Sequence, residues 1–202
     1  IGGALTVFDI RFHGRGGQGV VICANMLSAA LAAEGKYALS FPLFSGDRRG
    51  GPVTAFVRVG NSPAEVPRCQ IHEPDCLILM HASLLSGLDA KGRPAVLHGF
   101  KEGGLILVNS SRAPEELGIG VRAVIATVNA TGIAERLGLG TATSRPVNTA
   151  ILGALVRVAE IVTIESLEVA IRKEVPEKID LNLAAAREAF GSVNILKEVS
   201  HA

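Results

Sequence analysis

The chain has 202 residues, 48% of them hydrophobic, which is enough for one domain with a sizeable buried core. A formal net charge of +1 excludes a global field that would draw nucleic acid or an anionic membrane surface. The longest apolar runs, such as Cys76–Met80 and Leu105–Val108, are strand-length, so no membrane span is expected. The sequence opens at Ile1 and shows no basic segment followed by an apolar one that would direct secretion, so a cytoplasmic location is expected. Cys23, Cys69 and Cys76 are widely spaced and form no CxxC pair, and no two histidines stand as HxxxH or HxH. Buried or half-buried thiols in a reducing compartment are the expectation, with neither an iron–sulfur cluster nor a metal centre on this chain.

Taken in order, Val7–Phe12 alternates as a strand does and runs into a glycine-rich loop. Val20 to Glu34 has helical spacing, with Gly35 as its stop, and Tyr37–Leu43 reads as a second strand. Val53–Val59 alternates again as a third strand. Cys76–Met80 and Leu105–Val108 are continuously apolar, as strands buried on both faces are. Val121–Val128 is predicted as a strand, and helices are predicted near Thr131–Leu137, Asn148–Glu160, Ile164–Val175 and Asp180–Ala189. The alternation predicts one α/β domain over the whole chain: a doubly wound, Rossmann-like, mostly parallel sheet with helices on both faces.

The sharpest motif is Gly14-Arg15-Gly16-Gly17-Gln18-Gly19, between a predicted strand and a predicted helix. In that setting glycines permit close backbone approach, and the N–H groups that open the helix favour a phosphate. The alternative is a tight turn that needs small residues for packing alone. A dinucleotide site would require an acidic residue at the end of the second strand, and Tyr37–Leu43 ends without one. The next loop carries Asp47, Arg48 and Arg49 instead. That pair of arginines suits a terminal or ribose phosphate, although a solvated turn with a local ion pair fits equally. In Ser144-Arg145-Pro146-Val147-Asn148-Thr149, either Asn148 or Thr149 caps the long helix, or Asn148 points its amide at a ligand. No nucleophile–base pair and no paired carboxylates can be assembled, and His13 beside the glycine loop lacks an orienting carboxylate, so no catalytic residue is assigned.

These segments together resemble the γ subunit or γ domain of the 2-oxoacid:ferredoxin oxidoreductases, the pyruvate synthase group. The likeness runs from about Phe8 to Phe190. It rests on Ile10 to Val20 around the glycine loop, on Asp47-Arg48-Arg49-Gly50-Gly51-Pro52 leading to Arg58, on Arg68-Cys69-Gln70-Ile71 with Glu73-Pro74-Asp75, and on Asn148-Thr149 leading to Arg157. The resemblance implies a subunit that catalyses nothing alone. Its α and β partners would hold thiamine diphosphate and magnesium, and iron–sulfur clusters on a δ subunit or elsewhere would pass electrons to ferredoxin or another acceptor. The acyl product usually ends on coenzyme A. The resemblance further implies that Gly14, Arg15, Gly16, Gly17, Gln18 and Gly19, with Asp47, Arg48, Arg49 and Asn148, help to bind coenzyme A. Two segments depart from the family pattern. His81-Ala82-Ser83-Leu84-Leu85 stands where an acidic residue and Pro-Thr-Leu-Leu are common, and Ser45-Gly46-Asp47-Arg48 where Gly-Ala-Glu-Arg is frequent. The rival readings are a scaffold subunit that binds no ligand and, behind it, an autonomous NAD-binding protein.

Overall fold

The computed structural model describes residues 7–44, 51–141 and 146–197. A seven-stranded sheet runs through it in the order β2-β3-β1-β4-β5-β6-β7. The strands are β1 (Phe8–Arg15), β2 (Tyr37–Phe44), β3 (Pro52–Gly60), β4 (Cys76–Leu79), β5 (Leu105–Asn109), β6 (Val124–Val128) and β7 (Asn194–Leu196). β1, β4, β5 and β6 are mutually parallel, and β2 points the same way because it is antiparallel to the antiparallel β3. The short β7 closes the far side antiparallel to β6. The sheet is thus mixed but mostly parallel, as predicted.

Every residue of β4 and β5 is buried, which explains why neither alternates. Ile10, Phe12, Cys76, Ile78, Leu105, Leu107, Ala126 and Val128 face one way and meet the larger core. Most of the rest of that core comes from five α-helices among the described residues, α1 (Val20–Ala33), α2 (Ala130–Arg136), α3 (Asn148–Ala159), α4 (Ile164–Glu174) and α5 (Ile179–Ser192), with Ala55, Val57 and Val59 of β3. Leu77, Leu79, Ile106, Val108 and Ile125 face the other way, against the crossovers from β4 to β5 and from β5 to β6. Those crossovers hold only 3-10 turns, at Ala82–Ser86, Ala95–Leu97 and Pro114–Leu117. The sheet is wound on both faces as expected, but the helices are unequally divided: the α-helices lie on one face and 3-10 segments on the other. Gly87, Gly92, Pro94, Gly99 and Gly103 interrupt the first connection, and Pro114, Gly118 and Gly120 the second, leaving no unbroken run long enough for a stable α-helix there.

The central helix is α3, buried from Asn148 to Val156. It crosses α5 so closely that a side chain on Gly153 would begin 2.0 Å from the carbonyl oxygen of Ala186. Only glycine allows the two backbones that approach.

Candidate functional site

β1 ends at Arg15, and the glycine loop turns there, beside β4, at the point where the chain winds outward to both sides of the sheet. In open α/β sheets this crevice is where ligands bind. The loop is braced from within. The backbone N–H of Arg15 donates to Gln18 Oε1 at 2.7 Å, and that of Gln18 donates to the Arg15 carbonyl at 3.1 Å. Gln18 therefore holds the turn with its side-chain oxygen, while the Arg15 side chain is exposed. A side chain on Gly14 would begin 2.5 Å from Val20 Cγ2 and 3.1 Å from Met80 Cβ, so packing alone demands glycine at that position. Gly19 stands at the N-cap of α1 with φ 76°, a left-handed conformation that glycine adopts without strain.

The first intrahelical bond of α1 runs from Cys23 N–H to Gly19 carbonyl, 2.8 Å. The N–H groups of Val20, Val21 and Ile22 precede it, no side chain caps them, and the first turn carries no acidic residue. An open helix N-terminus of this kind favours an anion.

Asn148 comes to this helix end from 125 residues away along the chain. Cys23 Sγ lies 3.6 Å from its carbonyl oxygen, and its Nδ2 lies 3.4 Å from where a side chain on Gly19 would begin. The residue is only 7% exposed. Its Oδ1 accepts the Thr149 backbone N–H at 3.0 Å, whereas Nδ2 has no hydrogen-bond partner among the described residues. The predicted capping role is corrected: Val147 occupies the N-cap of α3, and no side chain caps that helix. Thr149 turns inward, donating Oγ1 to Asn182 Oδ1 at 3.0 Å, a buried pairing that nothing in the local sequence signals.

Asp47, Arg48 and Arg49 lie outside the described residues. The strand ends that flank them are at the same sheet edge: Arg15 pairs with Pro52, and the Gly16 N–H donates to the Gly51 carbonyl at 3.0 Å. The glycine loop and the foot of the hairpin are thus joined. The same topology disposes of the dinucleotide reading, because β3 separates the end of β2 from the loop. An acidic residue there would stand two strands, about 10 Å, from β1.

His13 is part of β1 rather than a solvated loop. Burial, and next the charge of Arg11, lower its imidazole to about 4, and its Nε2 has no partner among the described residues. It is a neutral ring beneath the glycine loop. Cys23 and Cys76 are fully buried and their thiols are pushed up by burial, whereas Cys69 is exposed, with Arg58 2.9 Å from its sulfur. Among the described residues no group of three His, Cys, Asp or Glu could hold a metal ion, and no helix is long and apolar enough to cross a membrane.

A mostly parallel α/β sheet with an open glycine loop at its switch point defines a doubly wound α/β protein, and no catalytic constellation is assembled among the described residues. The chain belongs to the pyruvate ferredoxin/flavodoxin oxidoreductase family, whose model matches residues 9–192. It is 44% identical to the pyruvate/ketoisovalerate oxidoreductases common subunit gamma of Thermococcus litoralis, over 91% of this chain and 96% of that one. It is 41% identical to the pyruvate synthase subunit PorC of Methanothermobacter marburgensis, with the same coverage of 91% and 96%. The crystal structure of pyruvate oxidoreductase subunit PORC from Thermotoga maritima superposes with a TM-score of 0.79 at 34% identity, covering 96% of this chain and all (100%) of that one. A 2-oxoglutarate:ferredoxin oxidoreductase from Magnetococcus marinus, solved with 2-oxoglutarate, coenzyme A and succinyl-CoA bound, shares the fold at TM-score 0.69. At 19% identity this chain matches 32% of that one, and the likeness is one of fold alone. The chain is a subunit of a 2-oxoacid oxidoreductase complex, as the resemblance implied.

Proposed function

We propose that the chain is a γ-type domain over its whole length that seats the phosphates of coenzyme A. Its complex would decarboxylate a 2-oxoacid on thiamine diphosphate and magnesium held by α- and β-type partners. Iron–sulfur clusters on a δ-type subunit or elsewhere would carry the electrons to ferredoxin or another acceptor. The seat consists of the loop Gly14, Arg15, Gly16, Gly17, Gln18 and Gly19, the following Asp47, Arg48 and Arg49, and Asn148. The observation that carries this reading is the Asn148 amide, whose Nδ2 has no partner among the described residues, set against Gly19 at an uncapped helix N-terminus. An amide donor beside the open N–H groups of a helix N-terminus adds a hydrogen bond for an anionic ligand bound there. A cytoplasmic location goes with this reading and is supported by three unpaired cysteines.

The scaffold reading has an observation of its own: Gly14 is required by packing, and Gln18 is occupied in bracing the turn. Replacing both Arg48 and Arg49 with Ala in the assembled complex separates the two. Coenzyme A seating predicts an apparent KM for coenzyme A raised at least about tenfold with kcat little changed, the loss of charge-assisted hydrogen bonds. A pure scaffold predicts no change in that KM.

A further inference from the structure

Two neighbouring elements, α1 and β2, contain no charged residue. Glu34 and Lys36, between them, pair with each other at 2.8 Å. A helix that borders water is expected to carry charge on its outer side, and α4 does, with Glu165, Glu168, Arg172, Lys173 and Glu174. On α1 the exposed positions are instead Ile22, Asn25, Ala32 and Ala33. Ser40 Oγ of β2 donates to Asn25 Oδ1 at 2.7 Å, so this outer side of α1 adjoins β2. β2 is the last strand on its side of the sheet, and no strand pairs beyond it among the described residues. A long uncharged strand in that position is a template for pairing with another chain.

Gly16 N–H donates to the Gly51 carbonyl, so the even-numbered residues of β3 point their backbone groups towards β2. With Leu39 opposite Arg58 and Phe41 opposite Phe56, the odd-numbered residues of β2 answer them. Ala38, Ser40 and Pro42 therefore turn their backbone groups outward, Pro42 offering only a carbonyl. On the sheet face away from α1, Leu39 and Phe41 join Phe56 and Ile71 in a small core of their own. Tyr37 and Leu43 are 45% and 46% exposed.

We propose that a second copy of this chain covers this surface, β2 pairing antiparallel with β2 across a twofold axis at Leu39. Ala38 of each copy then exchanges both backbone bonds with Ser40 of the other. Pro42, with no N–H to give, falls opposite Lys36, whose own N–H is already taken by the Leu31 carbonyl at 3.2 Å. Leu39 meets Leu39 and Tyr37 meets Phe41, so the two small cores become one. A surface without charge is matched by another without charge, which a copy of itself supplies. β2 and α1 are about 27 and 21 Å long, and a helix lying on a strand makes a surface about 20 Å high. That gives about 500 Å² on each copy, and the total of about 1,000 Å² meets what a specific interface requires. The pairing is independent of the coenzyme A reading.

The test uses the purified complex with Cys69→Ser, which removes the exposed thiol. Residues opposed at the axis lie about 4.5 Å apart between Cα atoms, within disulfide reach. Under mild oxidation Leu39→Cys should therefore join two copies of this chain, the position-39 peptide bonded to itself. Tyr37→Cys should not, because its counterpart lies about 13 Å further along the strand. Ala32→Glu, at an exposed helix position, brings like charges into the contact and should lower the Leu39→Cys yield at least about tenfold. Without any substitution, stepwise dissociation in native mass spectrometry should release this chain in pairs. A Leu39→Cys link to a different subunit, no link, or equal linkage from Tyr37→Cys overturns the pairing. So does a yield untouched by Ala32→Glu, or release as single copies only.

Discussion

At the edge where the parallel strands begin, Arg58 holds both carboxylate oxygens of Asp9 at 2.7 and 2.8 Å, and Lys101 reaches Asp75 at 2.8 Å. Asp75 in turn accepts the Asp9 backbone N–H at 2.8 Å. Near the same edge Glu34, at the end of α1, accepts from Lys36 and from Thr163 ahead of α4. Burial opposes ionisation of Glu34, but those hydrogen bonds outweigh it and bring the carboxyl down to about 2. At the opposite edge, where the strands end, Asn148 Nδ2 and His13 Nε2 have no partner among the described residues, and the α1 N-terminus has no side-chain cap. One edge satisfies its polar groups internally and holds the fold together. The other leaves the Asn148 amide and the α1 N–H groups free to meet another molecule, with His13 buried beneath them.

The largest effect is expected at the closed edge. Arg58→Ala leaves Asp9 charged and nearly buried without its partner, since their side chains are 12% and 11% exposed. Urea unfolding should show a loss of about 4 kcal/mol, with the coenzyme A KM of the assembled complex unchanged; a raised KM would erase the distinction between the edges.

His13 comes next. The unfolded chain protonates this histidine near 6.5 and the folded chain only near 4. Its contribution to stability is therefore complete above about pH 6.5 and is lost as pH falls towards 4, about 3 kcal/mol in all. Unfolding measured across that window should lose this slope in His13→Gln.

The smallest change in stability, about 1 kcal/mol, is expected for Asn148→Ala, which removes one hydrogen bond to the Thr149 backbone. Its coenzyme A KM should nonetheless rise about tenfold. A variant that unfolds readily and binds normally would move Asn148 to the structural side of the comparison.

The elements most legible in the sequence were those whose pattern is local. Cys76–Leu79 and Leu105–Asn109 announced themselves as apolar runs, and α1 as a helical period opening after four glycines. β7 was missed because Asn194-Ile195-Leu196 is too short to show a period. Val121 to Ala123 looked like strand but contributes to the smaller core ahead of β6, which starts only at Val124. No local signal told that β3 would slip between β1 and β2, since that order is decided by long-range pairing. At the site, the glycine loop was readable, whereas the Gln18 brace, the meeting of Asn148 with Gly19 and the Thr149–Asn182 pairing exist only once the sheet has brought distant segments together.

The contact at Gly153 bears on how the chain serves its partners. With α3 pressed backbone to backbone against α5, the helix that delivers Asn148 has no room to slide. Asn148 is thereby held against Gly19 by contacts made within this chain.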